Sequence, residues 1–264
     1  MRKIISIFVL ILISLQSQAQ DTLKNKKDTV QKIEEVKVTG LRKRKIETEM
    51  KMAVSVDEFL ASSDKISFIK RGAYAWEPML NNMSSERSTI TIDGMHIFGA
   101  CTDKMDPITS YVESNNLSTI DIKSGQEGSM HGATVSGSID LKRKSSAFDS
   151  VAQYKGSYQS GFEFNNNQFF NLGNLSYSSN KFVADASVAY RKAGNYQDGN
   201  NDVVNHSQYG KFNSSLGLAY KTSELSSIRV DAIFDQANDV GFPALPMDLW
   251  LSRAIITSAA YKQL

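Results

Sequence analysis

The single cysteine of this 264-residue chain, Cys101, stands four residues before Met105. Thiolate and thioether sulfur are soft donors, and together they select Cu(I) over cations that prefer oxygen. A spacing of four puts both sulfurs on one side of a helical turn, or across a tight loop between Gly99 and Pro107. The spacing by itself fits a plain packing role better, because a free cysteine behaves as a small buried hydrophobe and methionine fills irregular gaps. Asp103 and Asp106 read as turn and cap residues.

The three histidines are scattered, too few for a multi-ligand zinc pattern. Met95-His96 follows the turn pair Asp93-Gly94 and reads as a surface histidine, with a contact on a metal's way in as the alternative. Met130-His131 lies in a glycine-flanked, solvent-facing loop. His206 falls in a long polar loop, where solvation is the simpler role and metal capture the alternative. Phe242-Pro243-Ala244-Leu245-Pro246-Met247 reads as a loop-shaping segment and not as a binding box. Catalysis finds little support. Gly132 to Gly137 has the spacing of a phosphate loop, but Ser138 stands where a lysine must reach the phosphates. No Gly-x-Ser-x-Gly elbow is present, and no histidine neighbours a nucleophile in sequence. The reading is a protein that is not an enzyme, with no catalytic residues and no catalytic cofactor.

These residues need a scaffold, and the composition narrows it. Hydrophobic residues make up 41% and charged residues 22% of the chain, which excludes a protein built from several ~20-residue apolar helical spans. Thirty Lys and Arg against 28 Asp and Glu give a net charge of +2, too balanced for a nucleic-acid footprint. One cysteine forms no internal disulfide. Residues 1–20 read as a secretory signal peptide: Arg2 and Lys3, the apolar run Ile4 to Leu15, then the small residues Ser17 and Ala19. The mature chain is expected to begin at Gln20 or Asp21. Residues 21–52 are polar and lysine-rich, and an extended segment is expected there. Within it, Ile33 to Thr39 alternates apolar and polar residues, as a strand does when it adds to a partner's sheet edge or opens a domain.

Residues 53–145 read as a compact α+β domain. Strands are expected at Ser88 to Ile92, Thr119 to Ile122 and Ser138 to Leu141, with short helices around Val56 to Ser62 and Trp76 to Asn82. Pro78 suits the first turn of the second helix. Residues 146–264 change to long two-residue alternation. Phe182, Ala184, Ala186, Val188 and Tyr190 share one face, with Asp185, Ser187 and Arg191 on the other. The pattern recurs from Phe212 to Tyr220 and from Ile228 to Asp235, and Tyr154, Tyr158 and Phe162 begin an earlier member. Segments of about ten residues, joined alternately by tight turns and long polar loops, are the signature of antiparallel transmembrane β-barrel strands. Soluble sandwich strands average only about 5–6 residues. Ser150 onward leaves room for five or six such strands, whereas the smallest closed barrels have about eight, so the barrel is expected to be incomplete in this chain.

This order of parts resembles the TonB-dependent outer-membrane receptors, over roughly Ile33 to the end of the chain. Glu35, Val36, Lys37, Val38 and Thr39, followed by Gly40, resemble the TonB box. The segments Ile69 to Gly72, Ser88 to Gly94, Ile120 to Gly125 and Ser138 to Leu141, with Gly132 and Gly137, resemble the plug. Gly99 to Val112 resembles the plug loop of the copper-import branch, in which a Cys-x-x-x-Met pair supplies soft ligands. The resemblance implies an outer-membrane transporter whose box pairs with a TonB-type energy-transducing partner. It implies copper, as Cu(I), as the transported ligand, held by Cys101 and Met105, with outer-membrane lipid around the barrel and no nucleic acid. The branch's second pair, His-x-Met, has no match here, since His96, His131 and His206 are followed by Ile97-Phe98, Gly132-Ala133 and Ser207-Gln208. Receptors for a siderophore, haem or another chelate, and a passive surface-binding β protein, remain the alternatives.

Overall fold

The computed structural model describes residues 55–99, 101–245 and 247–263, and of residues 130 and 131 the backbone alone. The expected signal peptide, the extended segment and the box at Glu35 to Thr39 lie outside the described residues. The first described element, α1 (Val56–Ala61), starts where the sequence supplies a capping box. The Ser55 hydroxyl accepts the Glu58 N–H at 3.1 Å, and the Glu58 carboxylate accepts the Ser55 N–H at 3.2 Å, so two backbone donors left over at the helix start are satisfied reciprocally.

Strands β1 (Ile66–Lys70) and β2 (Trp76–Leu80) form an antiparallel pair of their own. The helix expected around Trp76 to Asn82 is therefore a strand. Pro78 faces Phe68 in a two-stranded sheet, where β2 has a free edge and a missing N–H breaks no second ladder. The edge-on contact of Phe68 with Trp76, ring centres 5.6 Å apart, ties the hairpin together. The sequence also gave no warning of β1.

A second sheet has the order β4-β3-β6-β5, from β3 (Ser88–Ile92), β4 (Met95–His96), β5 (Leu117–Ser124) and β6 (Gly137–Arg143). The three strands expected from the sequence are all present, two of them longer by a few residues. β3 and β6 run parallel and the other pairs antiparallel. Asp93 and Gly94 make the tight β3–β4 turn, both at positive φ (52° and 76°), the conformation that Asp-Gly adopts most readily.

From β7 onward a six-stranded antiparallel sheet runs in sequence order: β7 (Gln153–Glu163), β8 (Gln168–Ser178), β9 (Phe182–Ala193), β10 (Tyr209–Ser223), β11 (Ser226–Val240) and β12 (Leu249–Gln263). The strands have 11 to 15 residues, longer than the ten or so expected. Their connections are unequal: 179–181 and 224–225 at one end, 164–167, 194–208 and 241–248 at the other. The face turned to the amino-terminal part carries Asp185, Ser187, Arg191, Lys211, Asn213, Asp231 and Asp235, interspersed with the buried apolar Phe170, Leu172, Ala189 and Ile233. The opposite face carries exposed Val188, Tyr190, Leu216, Leu218, Ile228, Val230 and Ile255, the last at 72% exposure. That is the reverse of a soluble sheet, which turns its apolar face inward. Among the described residues no helix is long and apolar enough to cross a membrane.

The core lies between the small mixed sheet and the large one. Leu60, Leu80, Ile92, Leu117, Ile139 and Leu141 pack together, and Ile233 of β11 joins them from the large sheet. Asp57 is buried beside this core, with its carboxylate accepting the Trp76 N–H at 3.1 Å. Burial pushes its carboxyl up from 3.8 to about 7, against the pull of that hydrogen bond and of Lys211. Between about pH 4 and pH 7 the folded chain thus holds a proton that the unfolded chain has released. Stability contributed here is present at acid pH and falls as pH rises through that window, by up to about 4 kcal/mol. Asp57→Asn, which keeps an acceptor for Trp76, is expected to flatten the slope; urea midpoints of the whole protein at pH 4.5 and 7.5 check it.

Candidate functional site

Residues Cys101 to Pro107 form a turn between β4 and the short 3₁₀ helix Ile108–Tyr111. The Lys104 N–H bonds the Cys101 carbonyl at 3.1 Å, and Lys104 takes a positive φ of 54°. This brings Cys101 and Met105, adjacent through the turn, into one apolar cluster. Met105 is 9% exposed, and Cys101, partly buried, packs against the same group. The other members come from far along the chain: Tyr74, Tyr209, Ala237, Val240, Phe242, Leu245 and Leu249. Most sit at the end of the large sheet that carries its longer connections.

Two anchors hold the turn. The first is Asp106, 2% exposed, whose Oδ1 accepts the Cys101 N–H at 2.9 Å. Its Oδ2 accepts the Tyr111 hydroxyl at 2.8 Å and, at 3.5 Å, the Ser252 hydroxyl of β12. One buried carboxylate therefore fixes both the backbone at Cys101 and the seat of the turn on the large sheet. The second anchor is Lys104, whose ammonium lies 3.3 Å from Glu77 and also bonds Glu86 and the Ser85 hydroxyl. Glu77 in turn is held by Arg71 at 2.7 Å. Hydrogen bonding to Lys104 draws the Glu86 carboxyl down to about 2. At Glu77 burial acts to raise the carboxyl, but Ser85, Arg71 and Lys104 outweigh it and it titrates below its usual range. Both stay ionised at neutral pH, so the turn keeps its ionic hold.

Below the turn the amino-terminal part is tied to the large sheet by buried polar contacts. Glu113 meets Arg191 at 3.0 Å, and Lys211 meets Asp235 at 2.8 Å while bonding the Ser110 carbonyl. Asn213 donates to the Tyr111 carbonyl at 3.0 Å. Arg143 bridges Asp93 at the β3–β4 turn to Asp231 of β11, the latter at 3.4 Å.

The sequence-predicted residues divide accordingly. Cys101 and Met105 are brought together; Asp106 does not cap the helix that follows, whose N-cap is Pro107, but ties the turn back to Cys101, and among the described residues Asp103 shows no contact that holds the turn. His96 is exposed on β4 and lines a cavity with Cys101. His206 pairs instead with Asp248, Nδ1 to Oδ2 at 2.7 Å, linking two of the longer connections. Among the described residues no three His, Cys, Asp or Glu side chains stand close enough to hold a metal ion. Sequence reasoning missed Phe242 and Leu245 as neighbours of Met105, and missed the Lys104–Glu77–Arg71 chain. Separation along the chain hid the first, and surface-like charges give no signal that they converge.

No family model and no curated protein sequence matches the chain. Solved structures do. The copper transporter OprC superposes with a TM-score of 0.71 at 18% identity, over 80% of this chain and 32% of that one. The ferric citrate transporter FecA, unliganded, gives 0.61 at 15% identity over 83% and 36%. The FrpB iron transporter from Neisseria meningitidis, in its apoprotein form, gives 0.61 at 13% identity over 81% and 34%. The chain thus spans about a third of the length of the structures it matches. Its described residues share the fold of the corresponding third of TonB-dependent outer-membrane receptors.

Proposed function

We propose that the chain is the plug and the first barrel strands of a TonB-dependent outer-membrane receptor that imports copper. The observation that carries this reading is the Cys101–Met105 turn, which presents two soft donors at the long-connection end of the large sheet. In outer-membrane barrels that end faces outward. The α+β part, residues 53–145, then acts as the plug. The large sheet, residues 146–264, turns its apolar face to outer-membrane lipid and its polar face to the plug.

Copper, as Cu(I), is the cargo. Cys101 as thiolate and Met105 as thioether bind it, while Asp106 and Lys104 hold the turn in place. Phe242 and Leu245 belong to the same apolar cluster as Met105, surroundings that favour soft ligation over hydration. No covalent bond of a substrate is made or broken, so the protein is a transporter and not an enzyme. Energy enters mechanically: Glu35 to Thr39 pairs as a strand with the TonB-type partner, and traction moves the plug to release the metal inward. After the signal peptide, residues 1–20, is removed, residues 21–52 serve as the extended tether to that partner.

Similarity to the iron transporters FecA and FrpB supports a second reading, uptake of a metal chelate, in which Cys101 and Met105 only pack. Deletion of Glu35 to Thr39 in the full-length protein tests the energised mechanism. Copper binding is expected to stay while uptake by cells falls to background. Uptake at the wild-type rate would leave a passive binder.

A further inference from the structure

Asp57 sits where the chain enters the α+β part, in the first turn of α1 and a few residues after segment 21–52. Its Oδ2 accepts the Trp76 N–H, which fastens α1 to β2. Its Oδ1 is buried and has no hydrogen-bond partner. Asp57 lines a cavity of about 160 Å³ between α1, the 3₁₀ helix Ile108–Tyr111 and the long-connection ends of β7 to β10. Arg191, 6% exposed, lines the same cavity, and its Nη2 is another buried atom without a partner.

Titratable groups surround this cavity. β10 brings Tyr209 and Lys211, β9 brings Arg191, β7 brings Glu163, and Tyr74 and Glu113 come from the α+β part. On α1 itself, exposed Glu58 marks the rim that reaches solvent. From β1, Lys70 lies over the Trp76 ring, 3.6 Å from its centre, while Glu77 of β2 is engaged by Arg71 and Lys104. The two cations nearest the cavity are already taken: Lys211 meets Asp235, and Arg191 meets Glu113. An ionised Asp57 is therefore a buried carboxylate with no counter-charge of its own, and Glu113 adds like charge. The neutral acid occupies the same place at little cost. The change between the two forms falls at about pH 7.

We propose that the Asp57 carboxyl is a proton-controlled latch at the point where traction enters the plug. Protonated, it keeps α1 seated on β2 and against the wall; ionised, it draws water into the cavity and loosens α1. The proposal rests on the reading of residues 53–145 as a plug pulled through segment 21–52. No covalent bond to carbon changes, and one proton passes between the carboxyl and water at the Glu58 rim. Water that enters to solvate the carboxylate also serves Arg191 Nη2, so the loosened state leaves neither atom without a partner. The plug is thus harder to pull at acid pH and easier at alkaline pH. The Cys101–Met105 turn does not share this response, because Glu77 and Glu86 stay ionised on both sides of pH 7.

Amide hydrogen exchange in the full-length protein tests the latch, comparing wild type with Asp57→Asn from pH 5.5 to 8.5 after correction for the intrinsic pH dependence of exchange. In the wild type, protection of Val56–Ala61 is expected to fall roughly tenfold or more across that range, while Leu117–Ser124 keeps its protection. Asp57→Asn, neutral throughout, should show no such fall, and cells carrying it should take up Cu(I) more slowly than wild type at pH 8.5. Protection of Val56–Ala61 that is independent of pH in the wild type overturns the latch, and no variant has to fold for that result. An equal fall in Asp57→Asn overturns it too, and equal uptake at pH 8.5 removes its part in transport. Deletion of Glu35 to Thr39 tells the two readings apart. Uptake at the wild-type rate in the deleted protein defeats the traction reading and the latch with it, whereas flat exchange defeats the latch alone.

Discussion

Near-stoichiometric copper in the full-length protein under reducing conditions is expected to disappear in Cys101→Ala and to fall steeply in Met105→Ala. The cysteine should dominate because its thiolate brings a charge that the thioether lacks, and because its proton must leave before metal binds. Binding should therefore weaken toward acid pH. Asp106→Asn should give a graded loss, roughly 10–100-fold in affinity, without removing a ligand. The amide keeps one acceptor for the Cys101 N–H, but its other end becomes a donor that cannot accept the Tyr111 hydroxyl. Metal content by mass spectrometry and chelator competition reads all three variants. A folded protein with unchanged copper in Cys101→Ala and Met105→Ala would remove the sulfur pair as the copper site, and a wild type that takes up no copper would favour a chelate receptor.

The second large effect is expected at Lys211. Its ammonium is 4% exposed and its partner Asp235 3% exposed, so neither charge has water to fall back on. Lys211→Met leaves the Asp235 carboxylate without its counter-charge and the Ser110 carbonyl without its donor. Breaking a buried pair from one side costs about 3–5 kcal/mol. That corresponds to roughly 100- to 4,000-fold in exchange protection. Amide hydrogen exchange over residues 108–113 is the measurement, since those amides sit where the turn rests on the large sheet. Replacing both partners, Lys211→Met with Asp235→Leu, should recover most of the protection, because no orphaned charge is left. Equal loss in the single and double variants would show that packing at this point, and not charge pairing, holds the two parts together.

Much of this architecture was legible because alternation is a strong signal in long strands. Phe182 to Tyr190 showed which residues share a face, and β9 places them together on the exposed side. The turn pair Asp93-Gly94 marked the end of β3 for a stated backbone reason. Trp76 to Leu80 misled because Pro78 is compatible with a helix start and with an edge strand, and only the partner β1 decides between them. β8 was harder still: Asn171, Gly173 and Asn174 interrupt its apolar series, so its identity comes from pairing with β7 and β9. The site divides in the same way. Cys101, Met105 and Asp106 lie within six residues and could be read locally. Phe242, Ser252 and Tyr74 reach the turn only through the register of distant strands, which no local pattern encodes.

The parallel pairing of β3 with β6 also governs the order in which the small sheet can assemble. Register joins Ser88 to Gly137 and Ile92 to Leu141, across a loop of more than forty residues, whereas β5 and β6 are joined by a short 3₁₀ segment. Closing the shorter loop costs less chain entropy, so β5–β6 should pair first and β3 should dock onto it afterwards. The Cys101–Met105 turn lies inside the longer loop and leaves β4 directly. Its two sulfurs therefore sit in a segment whose two ends are fixed relative to each other only once β3 has docked on β6.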